Sequence, residues 1–198
     1  MSTAYVLVEY DGDQVLPITG ELITAAKVFE SVTAVVVGPA GAHEPLVPQL
    51  AALGADAIVA AVGADTAQRV VLPATDALSM LAAGAPGPIL VGAGVTGNEI
   101  AGRLAARLAS GVLCDVVQVN SDLTALMSIF GDAIEVSTAV GGSSPIYTMR
   151  HGATEVPAKP TSGAGVVSTF ELPAASEKDV TVTKFVPAVK GDRPDLTN

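Results

Sequence analysis

The sequence predicts an α/β fold in which a parallel, Rossmann-like sheet carries helices on both faces and an antiparallel β-meander occupies the second half. Residues 1–110 alternate apolar, β-branched runs with helical stretches, an order that favours right-handed crossovers and parallel strands. Residues 113–150 instead contain consecutive β-rich runs separated by short turns. Hydrophobic residues make up 49% of the chain but aromatic residues only 4%, as is typical of parallel sheets covered by aliphatic helices.

Four strands and four helices are predicted in the first half. The apolar runs end at turn signals, such as Gly38-Pro39 after the second strand. The last helix is the clearest, because Ile100, Leu104 and Leu108 recur at a spacing of four residues. The predicted strands are 4–10, 32–37, 57–62 and 88–91, and the predicted helices are 21–31, 43–53, 75–83 and 98–109.

The second half is predicted to be mostly β-structure. Turn residues such as Gly131-Asp132 separate its first four runs, which we expect to pair as antiparallel hairpins. Residues 1–186 are expected to form a single α/β domain, and the polar, proline-interrupted stretch 187–198 to be a linker. The predicted strands are 113–119, 124–130, 134–140, 144–150, 166–170 and 180–185.

Charge and cysteine usage restrict the partners and the compartment. The formal net charge of -10 repels phosphate backbones and anionic lipid, so we expect no nucleic-acid and no membrane partner. Glycine and proline interrupt the uncharged stretch 77–98, which argues against a membrane span. The single cysteine, Cys114, forms no internal disulfide and is predicted to be a small buried side chain. A reducing, cytoplasmic location is expected.

No set of residues assembles a catalytic or metal site. His43 and His151 lack metal-type spacing to each other or to Cys114, and both are predicted to be surface residues. The chain contains no Walker loop and no Gly-x-Ser-x-Gly elbow. We therefore predict no catalytic residues, no metal ligands and no enzyme activity for this chain alone.

One glycine-rich turn, residues 92–97, follows a predicted strand and opens a helix, as dinucleotide-binding turns do. Its nucleotide-binding candidates are Thr96, Gly97 and Asn98, through backbone N–H groups, and Arg103, through its guanidinium. Against this interpretation, the turn follows the fourth strand rather than the first. A tight turn, with Arg103 paired to Glu99 one helical turn earlier, is the favoured alternative.

The stretch from Thr96 to Leu108 closely resembles the alpha subunit of electron transfer flavoproteins. Shorter segments resemble the same family in the same order, although Gly102, Asp132 and Met149 depart from its usual residues. Those segments are Gly54-Ala55-Asp56, Gly131-Asp132-Ala133-Ile134, Thr148-Met149-Arg150 and Arg193-Pro194-Asp195-Leu196-Thr197, and the main stretch reads Thr-Gly-Asn-Glu-Ile-Ala-Gly-Arg-Leu-Ala-Ala-Arg-Leu.

The resemblance implies an electron-carrier component rather than an enzyme. In this family the domain docks onto a beta subunit, and the complete heterodimer holds FAD and carries electrons from dehydrogenases to an acceptor. The Arg-Pro-Asp-Leu-Thr stretch leads there into a glycine-rich domain that binds most of the FAD. The present 198 residues do not include its signature, so we expect no FAD site in this chain. We also expect an apolar or mixed docking face for the beta subunit, which self-association could cover when the partner is absent. A stand-alone module for AMP or a dinucleotide remains the alternative function.

Overall fold

A computed structural model describes residues 3–159, 162–177 and 179–186. Four α-helices lie in the described part of the chain, together with a short 3-10 helix at Thr66–Gln68. The helices are α1 Pro17–Ala26, α2 Val47–Leu53, α3 Leu72–Gly84 and α4 Val95–Leu108. The strands are β1 Thr3–Leu7, β2 Tyr10–Asp11, β3 Gln14–Val15, β4 Ser31–Gly38, β5 Ala57–Val62, β6 Ile89–Gly92, β7 Val112–Val119, β8 Ala125–Ile129, β9 Ile134–Thr138, β10 Ile146–Met149 and β11 Val166–Glu171.

Nine strands form one sheet in the order β11-β5-β4-β1-β6-β10-β7-β8-β9. Every pairing from β11 to β7 is parallel, and β7, β8 and β9 form an antiparallel meander at one edge. The α/β fold class, with its parallel sheet and added meander, is therefore confirmed. Strands β2 and β3 form a separate hairpin around Gly12.

Helices cover both faces of the sheet, as predicted, and enclose two apolar clusters. On one face, Leu22, Ile23 and Leu50 from α1 and α2 pack with strand residues that include Val6 and Val36. On the other face, Leu78 of α3 and Ile100 and Leu104 of α4 pack with Val35 and Ile89. The spacing of four that predicted α4 is therefore the spacing of its buried face.

The predicted orientation of strand 144–150 is wrong. We expected this strand to close an antiparallel hairpin, but β10 lies between β6 and β7 and pairs with both in parallel. All four of its residues, Ile146 to Met149, are buried, as expected for a central parallel strand covered on both faces. In the loop that leads into β10, Gly142 lies against Ser110. Only glycine fits there, because its φ of 111° suits no other residue and because a Cβ atom would overlap Ser110.

Several predicted boundaries also move. Helix α1 begins at Pro17, four residues before the predicted start, because proline suits the first turn of a helix. Helix α2 begins at Val47 rather than at residue 43, after a series of turns. The strand predicted at 180–185 is absent from the described residues: only an isolated bridge joins Thr181 to Arg69. The strand predicted at 166–170 is present as β11, and the proposed linker, 187–198, lies outside the described residues.

The first turn of α4 packs directly against the end of β6, and Gly97 makes this approach possible. A Cβ atom at position 97 would overlap the carbonyl oxygen of Gly92. Further along the same helix, a Cβ at Gly102 would meet no heavy atom within 4 Å. Substitution of Gly97 by alanine is therefore expected to lower the free energy of unfolding by about 2–3 kcal/mol through overpacking.

The matched control, Gly102→Ala, is expected to raise the free energy of unfolding by roughly 0.5–1 kcal/mol, because glycine disfavours helix interiors. Urea denaturation followed by circular dichroism measures both values. Equal effects of the two substitutions would contradict the close helix–strand contact at Gly97.

Tyr147 on β10 is fully buried and donates a hydrogen bond to the carbonyl oxygen of Leu123, at 2.7 Å. Burial, with a smaller contribution from the charge of Asp122, raises the pKa of Tyr147 to about 12. In the unfolded chain the phenol loses its proton near pH 10. Between these two values the folded state binds more protons than the unfolded state, so stability is expected to fall as pH rises.

Tyr147→Phe is expected to reduce the slope of stability against pH in that window. It also costs about 1 kcal/mol at neutral pH, because the Leu123 carbonyl loses its partner. Burial also raises the pKa values of Tyr5 and Tyr10, so some slope should remain in the variant. Denaturant titrations between pH 8 and about 11 test this. An unchanged slope in Tyr147→Phe would contradict the role of this phenol.

Candidate functional site

The predicted glycine-rich turn lies at the carboxyl ends of β1, β6 and β10. Strands β1 and β6 are neighbours, and the sheet extends from this pair in opposite directions through β4 and β10. In open α/β sheets, ligands bind in the crevice at such a reversal of strand order. Here the crevice has a volume of about 340 Å³, and its lining includes Leu7, Glu9, the turn 92–97, Ile100 and His151.

A carboxylate occupies part of this crevice. Glu9, partly buried just after β1, lies so close to Gly92 that a Cβ on that glycine would overlap a Glu9 carboxylate oxygen. A phosphate near the first turn of α4 would therefore meet a fixed negative charge as well as the helix N-terminus. Both glycines serve packing. Gly92 leaves room for the Glu9 carboxylate, and Gly97 leaves room for the carbonyl oxygen of Gly92.

The four nucleotide candidates do not converge on one place. Thr96 and Gly97 line the crevice, whereas Asn98, the next residue of α4, is exposed and does not line it. Arg103 lies further along α4, where its Nη2 is 2.7 Å from the Glu99 carboxylate. This ion pair is the one expected if the glycine-rich segment is only a tight turn. Arg103 lines a separate pocket with Asp76 and Arg107.

The two histidines contribute little to a reactive site. His151 is exposed, and its Nε2 lies 2.8 Å from the carbonyl oxygen of Ala93, so this nitrogen carries the proton and donates. His43 is only partly exposed, and its Nδ1 is buried without a hydrogen-bond partner. Within residues 3–159, 162–177 and 179–186, no group of three or more His, Cys, Asp and Glu side chains could hold a metal ion.

Cys114 is exposed, so the prediction of a buried thiol is wrong. The register between β10 and β7 shifts at this point, since Tyr147 faces Leu113 whereas Met149 faces Val116. The intervening Asp115 has a φ of 58°, the geometry of a bulge that redirects side chains. The apolar run around Cys114 could not reveal this bulge.

A polar cluster that the sequence analysis missed joins β10 to the meander. Arg150 donates to Asp115 at 2.7 Å, to Asp132 at 3.0 Å and to the carbonyl oxygen of Ser128 at 2.7 Å. Hydrogen bonding to Asp115 raises the pKa of Arg150, whereas the Ser128 hydroxyl and then Arg150 lower the pKa of Asp132. Two of the segments that resemble the electron transfer flavoprotein family thus meet at one ion cluster.

The meander also exposes apolar side chains. Phe130 at the β8–β9 turn is 79% exposed, and Ile134 and Val136 on the edge strand β9 are 48% and 37% exposed. Ile134 and Val136 are two residues apart and so lie on one face of the strand. We call these three residues the meander patch. None of the helices in the described residues combines the length and the hydrophobicity that a membrane span requires.

Comparisons with known proteins agree on one family. The electron transfer flavoprotein domain family matches residues 4–175. An electron transfer flavoprotein subunit alpha of Mycobacterium leprae is 41% identical over 198 residues, which cover all of this chain and 62% of that protein. A subunit of the same name from Mycobacterium tuberculosis (strain CDC 1551 / Oshkosh) is 43% identical over 178 residues, which cover 89% of this chain and 55% of that protein.

A more distant subunit alpha, from Syntrophomonas wolfei, is 32% identical over 213 aligned positions, covering all of this chain and 62% of its own length. The chain thus spans a little over half the length of these curated relatives. The family matches nearly the whole of the parallel sheet and the meander, and it confirms the resemblance predicted from residues 96–108. The chain belongs to the electron transfer flavoprotein domain family.

Proposed function

We propose that this chain is a docking domain of an electron carrier, which binds a beta subunit in a FAD-containing heterodimer and performs no reaction itself. The observation that carries the proposal is the family match over residues 4–175, to proteins named as electron transfer flavoprotein alpha subunits. In flavoproteins the flavin supplies the redox chemistry, while the protein binds, orients and shields it. The complete heterodimer would carry electrons from dehydrogenases to an acceptor.

The described surface supports docking rather than catalysis. Arg150 forms ion pairs with both Asp115 and Asp132 and donates to the carbonyl oxygen of Ser128, and these contacts hold the β8–β9 turn in place. Beside them, the meander patch presents apolar side chains on a fixed hairpin. Exposed apolar groups of this kind on a rigid element suit a protein partner. Without the beta subunit, self-association of this domain would cover the same patch.

We also propose a cytoplasmic location, on the ground that the one cysteine is unpaired and exposed. An exposed thiol suits a reducing compartment better than an oxidising one.

The first expected outcome concerns the partner. Co-expressed with the cognate beta subunit, this domain should elute with it as one complex in gel filtration. Ile134→Asp, which places a charge in the meander patch, should weaken the complex at least tenfold, because a desolvated charge opposes binding by more than about 1.4 kcal/mol. Val166→Asp is the matched control, since Val166 is 65% exposed on β11, the opposite edge strand.

Separate elution of the two chains, in a buffer where a longer alpha subunit binds, would refute docking by this domain. Equal weakening by Ile134→Asp and Val166→Asp would refute the meander patch as the docking surface while leaving docking itself intact.

The second expected outcome concerns the cofactor. Purified alone, the chain should be colourless, and titration with FAD at micromolar protein should give no saturable change in flavin fluorescence. A flavin needs backbone N–H groups around its pyrophosphate and a concave apolar pocket for its ring. The best-placed N–H groups, at the start of α4, share their crevice with the Glu9 carboxylate. Stoichiometric FAD binding would contradict the proposal.

A nucleotide-binding module is the second candidate function, because the crevice at the switch point is where such folds bind nucleotides. Calorimetric titration with AMP and with NAD distinguishes it. We expect no saturable heat from either ligand. Saturable AMP binding that Glu9→Gln tightens, by removing the repelling charge from the crevice, would favour the alternative function.

A further inference from the structure

The chain that follows β11 contacts the segment just before α3. We call residues 173–177 and 179–182 the strap. Backbone hydrogen bonds join the strap to the segment before α3, from Val70 N to Val180 O at 3.0 Å and from Val182 N to Gln68 O at 2.7 Å. Val180 and Val182 are nevertheless 61% and 42% exposed. The strap therefore lies on the surface of the domain.

The buried side chain of Arg69 binds the strap at two points. Arg69 has only 3% of its side chain exposed, and its Nε donates to Asp179 at 2.5 Å while its Nη1 donates to the carbonyl oxygen of Pro173 at 2.9 Å. Both acceptors belong to the strap. The side chain of Asp179 is also only 3% exposed, so the two charges are desolvated together. Separating such a pair is costly unless other groups compensate the charges that are parted.

Arg69 also has partners that do not belong to the strap. Asp76 on α3 lies 3.2 Å from its Nη2, and Asp65 beside the short 3-10 helix lies 3.6 Å from its Nη1. If the strap departed, these two carboxylates would still neutralise the guanidinium. The departing Asp179 would keep its own local bonds, because its Oδ2 accepts from the backbone N–H and the hydroxyl of Ser176. Neither charge would be left in an apolar environment, which lowers the cost of opening.

The backbone is strained at the point where the strap attaches. Val71 has φ 67° and ψ −45°, and Leu72 N donates to Val70 O at 2.7 Å, which defines a γ-turn with positive φ. A β-branched residue adopts this conformation only when surrounding contacts enforce it. Val70 supplies both contacts, since its N–H binds the strap and its carbonyl closes the γ-turn. The strap and the strained turn are therefore joined through one residue.

From these contacts we propose that the strap is a latch with a second, open state. In the open state the strap leaves as a unit, Arg69 remains paired with Asp65 and Asp76, and Val71 relaxes out of its γ-turn. Opening also removes one wall of the pocket of about 350 Å³ between the strap and helices α3 and α4, so that Leu72 and Arg69 face solvent. The latch is a conformational device of this domain and does not depend on the docking proposal.

Native-state hydrogen exchange of the purified chain, read residue by residue by NMR, tests the latch. The amides of Val70 and Val182 report the strap, and the amide of Val8, which bonds to Val35 O, reports the sheet. In the unmodified chain the strap amides should exchange at least about 100-fold faster than the Val8 amide, because local opening costs less than global unfolding. Exchange of all three amides at one rate would refute a separate open state.

Asp179→Ala should speed exchange at Val70 and Val182 by about tenfold or more, because the strap loses its buried charge pair, and leave Val8 unchanged. Asp179→Asn keeps the shape without the charge and should give a smaller increase in the same amides. This milder variant also serves if the alanine variant fails to fold. An equal acceleration at Val8, or none at the strap, would overturn the latch.

The strain is tested by comparing Val71→Gly with Val71→Ala. Both variants lose the valine methyl groups, but only glycine adopts the positive φ without strain. If the strain belongs to the closed state, exchange at Val182 should be about tenfold slower in Val71→Gly than in Val71→Ala. Equal exchange in the two variants would refute the coupling between the γ-turn and the strap.

Discussion

Strand β10 joins the two halves of the domain, because it pairs with β6 on one side and with β7 on the other. The side chains in and after it extend this connection into the meander and into the crevice. Tyr147 donates to the carbonyl of Leu123, and Thr148 Oγ1 accepts from the backbone N–H of Asp115 at 2.9 Å. Arg150 donates to Asp115 on β7 and to Asp132 in the β8–β9 turn, and His151 donates to the carbonyl oxygen of Ala93 after β6. A parallel sheet that ended at β6 would leave the meander without attachment.

The insertion of β10 also shapes the candidate site. It places the end of a third strand beside those of β1 and β6, and His151, which follows this strand, lines the crevice and donates to the carbonyl oxygen of Ala93 in the glycine-rich turn. The same turn in a nucleotide-binding domain would present its backbone N–H groups to phosphate. Here the space released by two glycines is taken by Glu9 and by the close approach of α4. A glycine pattern can therefore serve packing alone, and its sequence spacing does not separate the two uses.

Local signals in the sequence predicted most of the sheet, because each buried parallel strand is a continuous apolar run bounded by turn residues. Strand β5 begins and ends where it was predicted, and α4 was predicted from the spacing of Ile100, Leu104 and Leu108. The direction of β10 was not predictable in this way, since parallel and antiparallel strands differ in partners that are distant in sequence. The exposure of the Cys114 side chain also depends on the register shift between β7 and β10, which are distant in sequence. The Arg150 cluster likewise forms only after β10 has been inserted.

The arginines of the described residues offer little unpaired positive charge to an anionic ligand. Four arginines lie in the described residues, and each has at least one carboxylate within 4 Å: Arg69, Arg103, Arg107 and Arg150. A phosphate that approached any of them would have to displace a carboxylate already in contact, in a chain whose formal net charge is -10. These four arginines therefore offer no unpaired positive charge that could attract an anionic ligand to the domain. Under the docking proposal, the meander patch would offer apolar contact to the beta subunit on a hairpin that Arg150 holds in place.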